Sequence, residues 1–194
     1  MIFGEHEAQA AATVGNTCRT PNVNYNRPSS NIASLLSMSS FLVDYPFANR
    51  LYPGSLDVLE RLRQWGPTVL LTDGDVVFQP RKVERSGLWE AVNSHVLIYI
   101  HKELALDDIV SRYPALHYVL VDDKPRILAA VKEAWGTRVT TVFPRQGQYA
   151  HDDAKAIASF ATPDVTVDRI SDLLDCDLGS LRTPSTRSCA EVKR

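Results

Sequence analysis

Four short apolar runs recur along the middle of the chain, separated by stretches of helical pattern. They are Thr68–Thr72, Val96–Ile100, Tyr118–Asp122 and Arg138–Phe143. Strands that are apolar throughout are buried on both faces, and strands that alternate with helices form parallel sheets. The pattern therefore predicts an α/β fold, with a doubly wound parallel sheet covered by helices on both sides.

Helix-breaking residues bound the helical segments between these runs. Pro53-Gly54 opens one helix, which ends at Trp65-Gly66-Pro67, and Gly136 stops another. The remaining predicted elements are helices over 103–112, Ile127–Trp135 and His151–Phe160, and a short strand over Asp164–Val167.

Three zones differ in composition. Residues 1–30 carry many Asn, Pro and Ser residues and are predicted to be irregular or disordered. Residues 31–175 carry the periodic pattern and are predicted to form the core with part of a helical cap. Residues 176–194 are predicted to be a flexible tail.

Charge and composition exclude several classes of partner. The net charge is -2, with 44% hydrophobic and 23% charged residues, so nothing favours nucleic-acid or anionic-membrane binding through bulk electrostatics. No run approaches the roughly 20 apolar residues of a membrane span, and the first residues lack the pattern of a secretory signal. Three distant cysteines (Cys18, Cys176 and Cys189) favour reduced thiols and a cytoplasmic protein.

Polar residues stand where the apolar runs end. Thr72 ends the first run, Lys102 follows the second, and Asp122 and Asp123 end the third. Ligands of such sheets bind outside the carboxyl ends of the strands. A hydroxyl and an ammonium suit phosphate oxygens, and paired carboxylates suit Mg²⁺. Each residue alone is more often a strand former, a surface charge or a helix N-cap. The hypothesis of a phosphate and Mg²⁺ site therefore rests on the order in which the four residues occur along the chain.

Three segments resemble the haloacid dehalogenase-like (HAD) superfamily. They are LYPGSLDVLERLRQWGPTVLLTDGD, IYIHKE and HYVLVDDKPRILAAVKEAWGTRVTTVFPRQG. The resemblance implies a Rossmann-like core with Thr72 as the phosphate-binding hydroxyl, flanked by Asp73 and Gly74. It implies that Lys102 also binds phosphate and that Asp122 and Asp123 hold Mg²⁺. The implied activity is phosphatase-type transfer from a small phosphorylated molecule.

One motif of that family is not evident in the chain. The family's first strand ends in Asp-x-Asp, whose first aspartate is the nucleophile. Asp44 follows the apolar Phe41-Leu42-Val43, but Pro46 stands where the second aspartate belongs. We therefore expect 31–50 to be the end of a helical cap. Asp73-Gly74-Asp75 offers an alternative first motif, in which Ser94 becomes the candidate for the phosphate-binding hydroxyl.

The resemblance places that first strand centrally, between the strands that end at Thr72 and Asp122. Without it, two inner edges lack partners and a cleft runs through the core. Met1-Ile2-Phe3 or Phe41-Leu42-Val43 could fill the position, the sheet could rearrange, or the authentic N-terminus could have been lost or replaced. Two functions stay open: a HAD-like phosphatase, inactive if no nucleophile exists, and a non-catalytic protein that binds a phosphorylated ligand or a partner.

Overall fold

The computed structural model describes residues 30–74, 76–147, 160–177, 179 and 181. These residues fall in two compact units, 30–46 and 47–181. The predicted helix over 151–160 and the candidate segment Met1-Ile2-Phe3 lie outside the described residues, as does Asp75.

The first unit consists of one helix. α1 spans Ser30–Asp44, and the Phe41 and Tyr45 rings at its end meet edge to face with centroids 5.5 Å apart. Because Phe41-Leu42-Val43 is helical, the idea that it forms a strand ending in Asp44 is wrong. The helical part of the cap prediction agrees with α1, and the cap role itself stays a prediction.

The second unit alternates strands and helices in the predicted order. Its strands are β1 (Leu70–Asp73), β2 (Val96–Tyr99), β3 (Tyr118–Val121), β4 (Val139–Pro144) and β5 (Val165–Val167). Its helices are α2 (Ser55–Arg63), α3 (Phe78–Arg85), α4 (Leu88–Ala91), α5 (Leu106–Arg112) and α6 (Pro125–Trp135). Short 3₁₀ turns cover Phe47–Arg50, Lys102–Leu104, Gly136–Arg138 and Ile170–Leu174.

All strand pairs in the described part of the chain are parallel. β1 pairs with β2, with Leu70 opposite Val96, and β3, β4 and β5 pair in that order. The α/β class and the parallel strands therefore agree with the sequence prediction. The two sheets are separate, because no strand among the described residues lies between β1 and β3.

Two apolar clusters hold both sheets in one core. The first joins Leu70 of β1 to Val121 of β3 and to Val58 and Leu59 of α2. The second joins Leu71 of β1 to Leu120 of β3 and to residues of α5 and α6. Side chains alternate between the faces of a strand, so neighbouring leucines of β1 enter opposite clusters.

The core extends past the boundary predicted at residue 175. Cys176 and Leu181 are buried in the first cluster, and the Leu181 carbonyl accepts a hydrogen bond from Thr140 Oγ1 at 2.6 Å. Cys176 is disulfide-bonded, so the prediction of reduced thiols is wrong for this residue. No helix in the described ranges combines the length and apolarity needed to span a membrane.

Candidate functional site

A buried ion pair joins the carboxyl ends of β2 and β3. Lys102 opens the 3₁₀ turn after β2, and Asp122 follows β3. Lys102 Nζ donates to Asp122 Oδ2 at 2.5 Å, and the two side chains are 3% and 0% exposed. Two of the residues that the sequence analysis singled out are therefore brought together, although they lie 20 positions apart.

Both carboxylate oxygens of Asp122 accept a hydrogen bond from a neighbour. Its Oδ1 accepts the backbone N–H of Lys124 at 2.9 Å, while Oδ2 accepts Lys102. The first of these bonds fixes the chain just before α6, where Pro125 at the first helical position needs no N–H partner. Asp122 therefore serves as the partner of Lys102 first, and it has less free capacity for a cation than the sequence indicated.

Asp123 differs from its neighbour. Its side chain is buried, and Oδ1 has no hydrogen-bond partner in the described structure. Burial, and then the nearby charge of Asp122, raise the pKa of Asp123 to about 6. A buried carboxylate oxygen without a donor is costly, and a divalent cation would remove that cost.

The donor set fits Mg²⁺, for which Asp123 would be the main protein ligand. Mg²⁺ typically keeps several waters and takes one or two carboxylates together with substrate phosphate oxygens. Within the described ranges no three His, Cys, Asp or Glu residues are grouped so as to hold a metal ion. The arrangement therefore fits a site that is completed by water and ligand, and not an all-protein cage.

Tyr52 and Gly147 enclose the Asp123 carboxylate. Burial, and then the charge of Asp123, raise the pKa of Tyr52. Gly147 has φ +83°, and a Cβ at this position would lie 2.5 Å from Tyr52 Oη and 3.4 Å from Asp123 Oδ2. Glycine is needed here for both the left-handed backbone and the space.

Asp73, at the end of β1, lies between two lysines. Its Oδ1 accepts the backbone N–H of Lys102 at 3.0 Å, and its Oδ2 is 3.8 Å from Lys124 Nζ. The half-exposed side chain therefore reaches the cluster that the sequence predicted for the substrate. This placement keeps open the alternative in which Asp73 acts as the nucleophile.

Ser94, the hydroxyl candidate of that alternative, is badly placed. It is exposed in the turn before β2, at φ +62°. A four-residue strand puts it roughly 13 Å along the sheet from the end that carries Lys102.

Thr72 and Gly74 flank Asp73 in the sequence, but their contacts are with the Asp73 backbone and Gln79. The buried Thr72 hydroxyl donates to the Asp73 carbonyl oxygen at 3.3 Å. A Cβ on Gly74 would lie 2.3 Å from Gln79 Cγ, and Gln79 Nε2 donates to the same Asp73 carbonyl at 2.9 Å. Their roles toward a substrate stay predictions.

Lys124, Tyr52 and Gly147 are the site residues that the sequence analysis did not assign. Lys124 directly follows the acidic pair, and this adjacency was a usable signal. Tyr52 precedes Pro53-Gly54 and Gly147 follows β4, so their convergence on Asp123 depends on loop paths that no local pattern reveals.

Comparisons with known proteins agree with this architecture. No family model matches the chain, and no curated protein matches it. Among solved structures, one match is a crystal structure from Burkholderia xenovorans LB400, provisionally named a haloacid dehalogenase-like hydrolase. It is 65% identical with a TM-score of 0.70, and the match covers 75% of this chain and 67% of that one. With this identity and coverage, and the parallel α/β core above, the chain belongs to the haloacid dehalogenase-like superfamily.

Proposed function

We propose that the protein is a Mg²⁺-dependent hydrolase of the phosphatase type, acting on a small phosphorylated molecule. The observation that carries the proposal is the buried cluster of Lys102, Asp122 and Asp123, in which one carboxylate oxygen has no partner among the described residues. Such a cluster combines a fixed cation with a vacant oxygen ligand, the two needs of a bound phosphate with its metal.

Each residue has a distinct part in this proposal. Asp122 holds the Lys102 ammonium in place, and the remaining N–H groups of Lys102 are available to neutralise phosphate charge. Asp123 is the main protein ligand of Mg²⁺, which supplies charge stabilisation to the phosphoryl group when bound. Thr72 is the candidate hydroxyl, and Asp73 with Gly74 forms the adjoining rim. Asp73 is also the candidate nucleophile among the described residues.

The test is hydrolysis of p-nitrophenyl phosphate by the purified chain, with Mg²⁺ and with EDTA. We expect Mg²⁺-dependent turnover that falls by at least about 100-fold in Asp123→Asn, the equivalent of roughly 3 kcal/mol of transition-state stabilisation. Asp73→Asn should abolish turnover if Asp73 is the nucleophile. Asp107→Asn, on the exposed surface of α5, is the matched control and should retain full activity. Equal turnover with Mg²⁺ and EDTA would refute the proposal.

A second function is favoured by one specific observation. The described residues contain no strand between β1 and β3, where the resemblance places the nucleophile's strand. A protein that binds a phosphorylated ligand or a partner without turnover would keep Lys102 and Asp123 for binding alone. Saturable binding of inorganic phosphate with Mg²⁺, without hydrolysis by folded protein, would select this alternative.

Location and partners complete the proposal. We propose a cytoplasmic protein whose partner is a small phosphorylated molecule and neither nucleic acid nor a membrane. The net charge of -2 supports this choice, since it gives no bulk attraction to anionic polymers or lipids. Imaging of a fluorescent fusion tests the location, and membrane or extracellular signal would overturn it.

A further inference from the structure

A cavity of about 510 Å³ lies at the amino ends of β1 and β2, opposite the candidate site. The last turn of α2, the loop that follows it and the turn that precedes β2 form its walls. A four-residue strand, roughly 13 Å long, separates the cavity from the end of the sheet that carries Lys102. Small-molecule sites typically measure about 300–1,000 Å³, so the cavity has room for a ligand the size of a dipeptide.

Thr68 brings a buried hydroxyl to this cavity. The residue lies two positions before β1 and is 5% exposed, and its hydroxyl makes no hydrogen bond within the described structure. The neighbouring Val92 is 1% exposed and adds an apolar surface to the lining. Because a buried hydroxyl is stable only when it is hydrogen-bonded, the donor and acceptor of Thr68 favour a polar occupant.

Two opposite charges of α2 line the same cavity. Glu60 and Arg63 lie three residues apart, which places them on one face of the helix, and both are exposed. Within the described structure, neither side chain forms an ion pair with the other or with a third residue. Glu60 repels a simple anion and Arg63 repels a simple cation, so a ligand that carries both charges matches the cavity best.

Neutral amide groups complete the polar lining. Gln64 follows α2, and Asn93 lies in the turn before β2. Asn93 has φ +51° and Ser94 after it has φ +62°, a left-handed conformation that few residues other than glycine adopt. This turn holds Asn93 in the cavity wall. Side-chain amides both donate and accept hydrogen bonds, as the peptide group of a ligand also does.

We propose that this cavity binds a small zwitterion the size of a dipeptide. Arg63 binds the carboxylate of the ligand and Glu60 binds its ammonium group. The partial negative charge at the carboxyl end of α2 adds to the attraction for the ammonium group. The Thr68 hydroxyl and the amides of Gln64 and Asn93 bind the peptide group between the two charges. This binding does not depend on the proposed phosphatase chemistry at the other end of the strands.

The test is NMR titration of the nitrogen-15-labelled full chain with L-alanyl-L-alanine, at about pH 6.5, where the α-amino group is protonated. Two matched probes each lack one charge: N-acetyl-L-alanyl-L-alanine has no ammonium group, and L-alanyl-L-alanine amide has no carboxylate. We expect saturable shifts of the Thr68, Asn93 and His95 backbone amides, with a Kd of about 1 mM or tighter. Each singly charged probe should bind at least about tenfold more weakly, because one charge-assisted hydrogen bond is lost.

Two variants assign each charge of the ligand to its partner. Arg63→Gln should weaken binding of alanyl-alanine at least about tenfold but should not weaken binding of the dipeptide amide, which lacks the carboxylate. Glu60→Gln should weaken binding of alanyl-alanine similarly but should not weaken binding of the acetylated probe. The matched controls are Arg81→Gln and Glu84→Gln, three positions apart on the exposed surface of α3, and both should bind alanyl-alanine as the wild-type protein does.

A third variant tests the buried hydroxyl. Thr68→Val keeps the volume of the side chain and should weaken binding of all three probes, because each probe keeps a peptide group. The same change should not lower the free energy of unfolding, because the hydroxyl makes no hydrogen bond within the described structure. Urea unfolding of every variant gives this comparison and checks that each variant is folded.

Several results would overturn the proposal. One is the absence of saturable shifts at the three amides up to about 20 mM alanyl-alanine, well above the expected Kd. Equal binding of the acetylated probe would reveal a site for simple anions, and equal binding of the dipeptide amide would reveal a site for simple cations. Equal weakening of all three probes by Arg63→Gln or Glu60→Gln would show that the side chain shapes the cavity and does not bind a charge of the ligand.

Discussion

The contacts between the two sheets differ between their carboxyl ends and their middle. At the ends, three ion pairs cross from one sheet to the other in the described structure: Lys102–Asp122, Lys124–Asp73 and Arg126–Glu103. In the middle, β1 and β3 share no ladder, and a cleft lies between them. The comparison indicates that the polar residues of the candidate site also fix how the two sheets meet.

The largest expected effect comes from breaking the buried pair. Lys102→Met leaves Asp122 buried without its cation and should lower the free energy of unfolding by about 3–5 kcal/mol. Arg112→Met breaks the exposed pair with Asp108 and should change the free energy of unfolding far less, because solvent screens this pair. Urea unfolding of both variants makes the comparison, and equal costs would contradict a structural role for the buried pair.

Asp123 should make stability depend on pH. Its pKa of about 6 in the folded protein lies above the ordinary value of 3.8, so the folded state binds more protons between these values. The free energy of unfolding should therefore fall as pH rises from about 4 to about 6, by roughly 2–3 kcal/mol.

Asp123→Asn should remove this slope, because the amide does not titrate. Asp57→Asn, on the exposed surface of α2, makes the same change in charge and should keep it. Unfolding curves are measured in EDTA, since a bound cation opposes protonation. A slope of the opposite sign in the wild-type protein would refute the burial argument.

Gly147 tests how tightly the site is enclosed. Gly147→Ala adds a Cβ only 2.5 Å from Tyr52 Oη at a left-handed backbone position, so it should cost about 1–2 kcal/mol. Gly66→Ala is the matched control, because a Cβ there has no heavy atom within 4 Å. Thermal unfolding compares the stability of the two variants. An unchanged stability in Gly147→Ala would show that this loop can move to accommodate the added methyl group.

The smallest effect on stability is expected at the partly exposed pair of Lys124 and Asp73. Lys124 Nζ and Asp73 Oδ2 are 3.8 Å apart, with side chains 28% and 24% exposed. Lys124→Met should cost about 1 kcal/mol or less, and the difference should shrink at 1 M salt, where the Debye length is about 3 Å. If Lys124→Met lowered the free energy of unfolding more than Lys102→Met, the buried pair would not be the stronger contact between the sheets.

Much of the fold was predictable because its strands are apolar throughout. The runs around Leu71, Leu97 and Leu120 have no polar side to place in water, so a parallel sheet between helices follows from burial alone. A cleft between β1 and β3 was one of several alternatives that the resemblance left open. The helix through Phe41–Val43 was harder, since a short apolar run has the same appearance in a strand and in a helix.

The sequence predicted that some residues of the candidate site lie together, but it predicted neither their hydrogen bonds nor the residues that reach the site through loops. Strand ends placed Lys102, Asp122 and Asp123 together. The two aspartates differ because the carboxylate of Asp122 contacts the Lys102 ammonium. The position of that ammonium is set by the 3₁₀ turn after β2. Tyr52 and Gly147 reach Asp123 through loops whose paths depend on tertiary packing.

The most direct test of the account is Mg²⁺ titration by calorimetry at pH 5.5 and pH 7.5, on the wild-type chain and Asp123→Asn. The account predicts one Mg²⁺ bound by the wild-type protein. It also predicts proton release at pH 5.5, because the cation displaces the proton of Asp123, and loss of binding in the variant. Equal binding by both proteins, or no binding by folded wild-type protein, would contradict the claim that the carboxyl ends form an assembled metal site.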